Sequence, residues 1–286
     1  MRLKLTTPRR PPAPTITRLD WPGSASGHVF LAHATGFCKE VWDPVAAGLR
    51  TAAWDGSITA WDAPGHGGSP PASTPFDWWD TARAALEVIH SSGSTGPRFG
   101  VGHSMGGATL VMAELLDPGI LHGLILIEPI TFPPPFQRIE TNPLAVGAMR
   151  RRASFASPEE ALENFSSKAA FGSWDVRALR AYVDGGLVER QGRFWLACDP
   201  DLEADVYRSG TAHGAYERLS EVECPVLVIA GELSDTFPQA FATHLAGEFP
   251  DGRYFVVGGA GHFLPMERPD LIAGRIAEEL ERLAAD

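Results

Sequence analysis

The sequence predicts an α/β protein with a mostly parallel central sheet flanked by helices. Short apolar runs alternate along the chain with longer segments whose apolar residues recur at helical spacing. This alternation is typical of parallel strands joined by crossover helices, which cover both faces of the sheet. The strand-like runs are 28–32, 58–61, 98–101, 124–127, 227–230 and 254–257.

Helices are predicted between these runs and at the end of the chain. Their apolar residues are spaced three or four apart and therefore share one face. The closing helix has a proline at its start, where a missing N–H costs nothing. The predicted helices are 79–90, a helix that opens at Ser104 and continues through Met112, and 269–283.

The segment 131–222 breaks this alternation. It leaves the sheet through a stiff proline run at 133–135, shows no evident apolar strand pair, and predicts short helices at 158–165 and 176–183. A stretch this long between two strands must have structure of its own. The predicted organisation is a core domain of residues 1–130 and 223–286, with a helical cap of residues 131–222 inserted between two core strands.

Composition excludes several classes of protein. A chain of 286 residues can bury a large core, and its formal net charge of −11 disfavours nucleic acid or an anionic membrane as a partner. No apolar run is long enough to span a membrane. The first twelve residues lack the apolar region of a signal peptide and suggest a loose arm or an edge strand. We therefore expect a cytoplasmic protein.

The three cysteines are too few and too scattered for a disulfide framework or a metal site. They are Cys38, Cys198 and Cys224. Reduced thiols fit the expected cytoplasmic location.

The most informative motif is Gly102-His103-Ser104-Met105-Gly106, a Gly-x-Ser-x-Gly sequence between a predicted strand and a predicted helix. A serine on such a strand–turn–helix junction is held on a strained turn with its hydroxyl exposed above the sheet. The glycines allow a tight turn and a close approach of backbones. Ser104 is therefore the candidate nucleophile, although an ordinary helix-capping serine would also fit the start of the helix.

A nucleophilic serine needs a base, and the base needs an orienting acid. Two candidates follow later strands directly: Asp235 after the run 227–230, and His262 after the run 254–257. Because the carboxyl ends of parallel strands meet at one edge of a sheet, these residues can converge with Ser104. The order Ser, Asp, His along the chain is that of one particular hydrolase fold.

Four segments of the chain together resemble the α/β-hydrolase fold superfamily, and the resemblance spans nearly the whole length. They are 33–37, 62–69, 102–107 and 261–262. The resemblance implies a Ser104–Asp235–His262 triad and a lid formed by the inserted segment. The superfamily places the acid after either of two strands, so Glu128, in Ile127-Glu128-Pro129, is the alternative to the more usual position of Asp235.

The same resemblance implies an oxyanion hole made of two backbone N–H groups. One is that of Met105, directly after the nucleophile, and the other is that of Thr35 in the loop after the first long strand. The superfamily more often has glycine where this chain has Ala34, which leaves Phe37 as an alternative donor.

Neither a cofactor nor a metal ion is expected. No Gly-x-Gly-x-x-Gly sequence follows a strand, and no His and carboxylate pair has ligand spacing on one element. The expected function is a serine esterase or lactonase that acts on a small, largely apolar molecule. Carbon–carbon bond hydrolysis, lyase or acyltransferase chemistry, and a low-turnover ligand-binding protein stay open, as does a homo-oligomer.

Aromatic residues of the inserted segment are expected either to pack against the core or to line an apolar pocket. They are Phe155, Phe165, Phe171, Trp174, Tyr182, Trp195 and Tyr207.

Overall fold

The computed structural model describes residues 15–285. Within them, seven strands form one sheet in the order β1-β3-β2-β4-β5-β9-β10. Only the pairing of β1 with β3 is antiparallel, and the other neighbours are parallel. The predicted fold class is confirmed. The strands are β1 (Arg18–Trp21), β2 (His28–Ala32), β3 (Ser57–Trp61), β4 (Arg98–His103), β5 (Gly123–Ile127), β9 (Val226–Gly231) and β10 (Gly252–Val257).

Two hydrophobic cores lie on opposite faces of this sheet, because successive side chains of a strand point to opposite sides. In β2, Val29 and Leu31 belong to one core, whereas Phe30 belongs to the other. The first core includes residues of α1 (Asp43–Thr51) and α10 (Pro269–Ala285), and the second includes residues of α2 (Trp78–Ser91), α3 (Met105–Leu116) and α8 (Gln239–Gly247).

The chain between β5 and β9 holds four α-helices and a second sheet. The helices are α4 (Pro143–Ala148), α5 (Pro158–Ser166), α6 (Val176–Gly185) and α7 (Pro200–Ser209). Outside this stretch, the short α9 (Leu264–Glu267) precedes α10. Three further segments, Lys39–Trp42, Ala169–Phe171 and Ala215–Glu221, form 3-10 helices. The second sheet has antiparallel strands β6 (Ser154–Phe155), β7 (Leu187–Arg190) and β8 (Arg193–Leu196) in the order β6-β8-β7.

This second sheet corrects the prediction of a purely helical cap. Strands β7 and β8 are joined by Gln191 and Gly192, both of which have positive φ, 53° and 70°. Such a two-residue turn suits the twist of an antiparallel hairpin. The strands are only four residues long, and the polar residues in them hide the apolar pattern that marks a strand. We refer to residues 131–222 as the inserted segment; that it is a separate cap stays a prediction.

The inserted segment packs at the carboxyl ends of the core strands. The Asp175 N–H donates a hydrogen bond of 2.8 Å to the carbonyl of Met266, and Phe37 contacts the ring of Trp174 edge-on. These contacts place the inserted segment against the loop after β2 and against α9.

No helix within residues 15–285 combines the length and the apolar character that crossing a membrane requires. The predicted arm or edge strand at residues 1–12 lies outside the described residues.

Candidate active site

Ser104 lies directly after β4, on a turn with the unusual backbone angles φ 53° and ψ −113°. Positive φ is strained for a residue with a side chain, and such strain is concentrated at functional sites. The flanking glycines are required by space: a Cβ on Gly106 would lie 2.1 Å from the carbonyl oxygen of Ala32. The Ser104 N–H donates to the carbonyl of Ile127 at 2.9 Å, which ties the turn to β5.

His262 lies in the loop after β10, and its ring is paired with a carboxylate. Its Nδ1 is 2.5 Å from Oε2 of Glu128, at the end of β5. The main chain of His262 is also fixed, because Nε2–H of His103 donates to the His262 carbonyl at 2.9 Å. The residue before the candidate nucleophile thus holds the loop of the candidate base.

Glu128 is completely buried, and its carboxylate accepts three hydrogen bonds. Oε1 accepts from the N–H of Gly231 at 2.7 Å, and Oε2 accepts from the hydroxyl of Ser234 at 2.7 Å as well as from His262. Burial of a carboxylate is costly unless its oxygens are satisfied in this way. The three donors therefore satisfy the buried carboxylate and fix its position.

The structure pairs His262 with Glu128, the alternative acid, and not with Asp235, the preferred one. Asp235 is exposed, and Oδ1 accepts a long hydrogen bond of 3.3 Å from the hydroxyl of Thr236. From the loop after β9 it is Ser234 that points inwards, to the carboxylate of Glu128. Ser234 and Asp235 are consecutive in this turn, so their side chains point in different directions. The side chain of Ser234 faces Glu128 and that of Asp235 faces solvent.

The N–H groups of the loop after β2 differ in their hydrogen bonding. The N–H of Phe37 donates to the carbonyl of Ala34 at 3.2 Å, and the N–H of Gly36 donates to Nε2 of His66 at 3.0 Å. Among the described residues, the N–H groups of Thr35 and Met105 have no hydrogen-bond partner. The assignment of Thr35 and Met105 as oxyanion donors stays a prediction, and the N–H of Phe37, the alternative, is engaged with Ala34.

Two buried histidines hold this loop in place. His33 donates from Nδ1 to the carbonyl of Ala34 at 2.8 Å and accepts at Nε2 from the N–H of Ala63 at 3.0 Å. His66 accepts from Gly36 and lies 3.1 Å from the Pro64 carbonyl through Nδ1. Burial lowers the pKa of His33 to about 4, and burial together with the neighbouring His33 lowers the pKa of His66 to about 3. Both rings are therefore neutral near pH 7.

A cavity of about 530 Å³ extends from the loop after β2 into the inserted segment. Its wall includes Thr35, Phe37 and Phe263, the residue after His262. Of the aromatic residues that the sequence singled out, Phe165, Phe171 and Tyr207 line it. The others do not: Phe155, Trp174 and Tyr182 are buried in the core, and Trp195 is partly exposed.

Sequence reasoning missed two residues of the site, His103 and Ser234. A hydroxyl directly before Asp235 and a histidine directly before Ser104 are the only signals in the sequence, and neither indicates a partner on another strand.

The described part of the chain contains no group of three His, Cys, Asp or Glu side chains that could hold a metal ion. Cys38, Cys198 and Cys224 are all free and buried.

Comparisons with known proteins agree with this architecture. "Abhydrolase domain-containing protein ACTT2" of Alternaria alternata is 28% identical over 222 residues, which span 65% of this chain and 84% of that protein. "Type I acyl-CoA thioesterase mpaH" of Penicillium brevicompactum is 28% identical over 196 residues, which span 64% of this chain and 44% of that protein.

"Peroxisomal membrane protein LPX1" of Saccharomyces cerevisiae is 25% identical over 283 residues, which span 87% of this chain and 73% of that protein. Its solved structure superposes with a TM-score of 0.82 at 20% identity and covers 98% of this chain and 87% of that chain. Cytoplasmic localisation of this chain stays a prediction. The family described as "Alpha/beta hydrolase family" matches residues 29–275, and the chain therefore belongs to the alpha/beta hydrolase family.

Proposed function

We propose that the protein is a serine hydrolase that cleaves a carboxylic ester bond through an acyl-enzyme. Ser104 is the nucleophile, His262 the general base and Glu128 the orienting acid. The observation that carries this proposal is the 2.5 Å pairing of His262 Nδ1 with the buried carboxylate of Glu128, in a loop that is bonded to the residue before Ser104. A buried carboxylate on Nδ1 leaves Nε2 as the nitrogen that can take a proton.

In the first half of the reaction, the Ser104 hydroxyl attacks the substrate carbonyl while His262 Nε2 takes its proton. The negative charge that develops on the carbonyl oxygen is stabilised by the N–H groups of Thr35 and Met105. The tetrahedral intermediate collapses, the bond to the leaving group breaks, and His262 returns the proton to the leaving oxygen. Glu128 stabilises the imidazolium and keeps its orientation.

In the second half, a water molecule attacks the acyl carbon and gives its proton to His262 Nε2. The bond to Ser104 breaks, and the Ser104 oxygen takes the proton back as the carboxylic acid leaves. No cofactor enters either half.

The cavity supports a small, largely apolar acyl or alcohol portion. Its volume of about 530 Å³ lies within the ordinary range for small-molecule sites, about 300–1,000 Å³. Its inner wall is aromatic, from Phe37, Phe165, Phe171 and Phe263. Because the inserted segment supplies much of this wall, we propose that it is a cap that selects the substrate.

Labelling with a fluorophosphonate tests the nucleophile directly. The wild-type protein should carry one label on the peptide that contains Ser104, found by mass spectrometry, and should hydrolyse p-nitrophenyl butyrate. Ser104→Ala should lose both. Ser167→Ala, which removes an exposed hydroxyl of the inserted segment, is the matched control.

Two results would contradict this proposal. Labelling that persists in Ser104→Ala would show a different nucleophile. Labelling at Ser104 without turnover of any ester or lactone would indicate the ligand-binding alternative instead of an esterase.

A further inference from the structure

The cavity wall contributed by the inserted segment is unusually basic. Four cationic side chains line it, Arg150, Arg151, Arg152 and Lys168, against one carboxylate, Glu203. The protein as a whole has a formal net charge of −11. A cationic wall on an acidic protein produces a local field that attracts anions to this one opening.

Two of the four cations already have partners. Arg152 Nη2 is 2.5 Å from Oε1 of Glu160, outside the cavity wall. Arg151 Nη1 is 2.5 Å from Oε2 of Glu203, and Nη2 donates to the hydroxyl of Tyr182 at 2.6 Å.

The Arg151–Glu203 pair packs against the loop after β2, which fixes its position. A Cβ built on Gly36 would lie 2.8 Å from Glu203 Oε1, so the pair rests directly on the loop that carries Thr35. A guanidinium that is held by a carboxylate and a phenol has little capacity left for a ligand. Arg151 therefore braces the wall.

Arg150 and Lys168 are different. Both residues are exposed, and within residues 15–285 neither side chain takes part in a hydrogen bond or an ion pair. They lie on the wall of the same cavity although they are eighteen positions apart in the chain, one after α4 and one after α5. Two unpaired cations that converge on one cavity can bind one anionic group together.

The lining of the cavity combines three kinds of residue. Thr35 carries a proposed oxyanion donor and Phe263 follows the proposed base, the buried Phe165 and half-buried Phe171 supply apolar wall, and Arg150 and Lys168 are exposed cations. A substrate whose reacting carbonyl lies beside Thr35 can therefore extend within the same cavity to Arg150 and Lys168.

We propose that the substrate carries an anionic oxygen group, a phosphate or a carboxylate, at the end remote from the scissile carbonyl, and that Arg150 and Lys168 bind it. A guanidinium offers a fork of donors to such a group, and the ammonium adds a point charge. This inference rests on the proposed function, because it places the reaction at Ser104. It adds the chemical class of the substrate.

The test compares matched substrates that differ only in the anionic group. For a phosphate on the leaving group, S-hexanoyl-4′-phosphopantetheine is compared with S-hexanoylpantetheine. For a carboxylate on the acyl group, the p-nitrophenyl monoester of glutaric acid is compared with p-nitrophenyl butyrate. We expect kcat/KM of the wild-type protein to be higher for the anionic member of at least one pair, and the pair that shows it identifies the source of the anion.

Variants then assign this preference to the two residues. In Arg150→Gln and in Lys168→Gln, the ratio of kcat/KM for the anionic member to that for the neutral member should fall about five- to twentyfold, mainly through KM. Added salt should reduce the same ratio in the wild-type protein, because these cations are exposed. Arg190→Gln removes an exposed cation of β7 that does not line the cavity and is the matched control.

The outcomes separate this inference from the proposed function. Ser104-dependent turnover of the neutral esters with no preference for either anionic member would overturn the anion site and leave the hydrolase intact. A preference that Arg190→Gln lowers as much as the two variants would show a diffuse field effect and also overturn the site. If Ser104→Ala retains turnover of every substrate, the proposed function fails. Binding of 4′-phosphopantetheine to the wild-type protein by calorimetry, weakened in Arg150→Gln but absent for pantetheine, would then still show the site.

Discussion

His262 Nδ1 lies 2.5 Å from Glu128 Oε2, and this pair joins the loop after β10 to the end of β5 across the intervening strand β9. The pair is held from both sides, because Ser234 and the N–H of Gly231 donate to the carboxylate and His103 holds the main chain of His262. The orientation of the proposed base therefore depends on three neighbouring strand ends. The side chain of Asp235 is hydrogen-bonded to Thr236 and not to this pair.

Replacing Glu128 with glutamine should remove most of the activity. The amide keeps the size of the side chain but loses the charge that stabilises the imidazolium, so kcat for p-nitrophenyl butyrate should fall by about 10²–10⁴. Asp235→Asn, the matched change on the neighbouring loop, should alter kcat by less than about threefold, since Asp235 is exposed and bonded only to Thr236. Circular dichroism shows whether both variants are folded. The opposite ranking would assign the acid to Asp235.

His103 should act as a positioning residue for the proposed base. His103→Leu removes the Nε2–H that donates to the His262 carbonyl, and we expect kcat to fall about tenfold with little change in KM. His103→Gln can place an amide N–H near the same carbonyl and should restore much of the loss. If glutamine rescues nothing while both variants stay folded, this hydrogen bond does not position His262.

Phe171 should limit the size of the acyl group. Its ring is half-buried, lines the cavity and packs edge-on against Trp174 with the ring centres 4.9 Å apart. Phe171→Ala should shift the preferred p-nitrophenyl ester towards longer acyl chains, measured as kcat/KM over a series from C2 to C12. Trp195→Ala changes a partly exposed aromatic residue that does not line the cavity and is the control. An unchanged chain-length profile in Phe171→Ala would place the acyl group elsewhere.

The strands of the central sheet and the turn at Ser104 could be predicted from the sequence because both depend on local patterns. The apolar run 124–127 predicts β5 to within one residue, because a fully buried parallel strand contains no polar residue and its ends are therefore clear. The turn at Ser104 was predicted because the flanking glycines are required by close backbone contact, which leaves a direct trace in the sequence.

The choice between Glu128 and Asp235 could not be made from the sequence. Both residues follow apolar strands, and their side-chain directions are set by one or two backbone angles in the turns. Glu128 itself has a positive φ of 45°, a conformation that the residue types of Ile127-Glu128-Pro129 do not predict. The hairpin of β7 and β8 was missed for a related reason: its strands are short, and their order depends on tertiary packing more than on local propensity.

The two histidines that brace the loop of Thr35 should make the protein less stable in mild acid. Each accepts a backbone N–H on its unprotonated nitrogen, so protonation of His66 would set an N–H against the N–H of Gly36. Because burial lowers the folded-state pKa values to about 4 for His33 and about 3 for His66, the unfolded chain binds protons first as the pH falls. The stability they contribute is complete above pH 6.5 and is lost progressively from there down to about pH 4 and pH 3. At pH 5 each histidine should already have lowered the free energy of unfolding by about 2 kcal/mol relative to pH 7.5.

Urea unfolding at pH 7.5 and at pH 5 measures this loss of stability. His66→Gln, whose amide oxygen can still accept from Gly36 but cannot take a proton in this range, should reduce the loss by about 2 kcal/mol, with His90→Gln as the exposed-histidine control. A pH dependence in His66→Gln equal to that of the wild-type protein would show that His66 is not protonated on unfolding in this range.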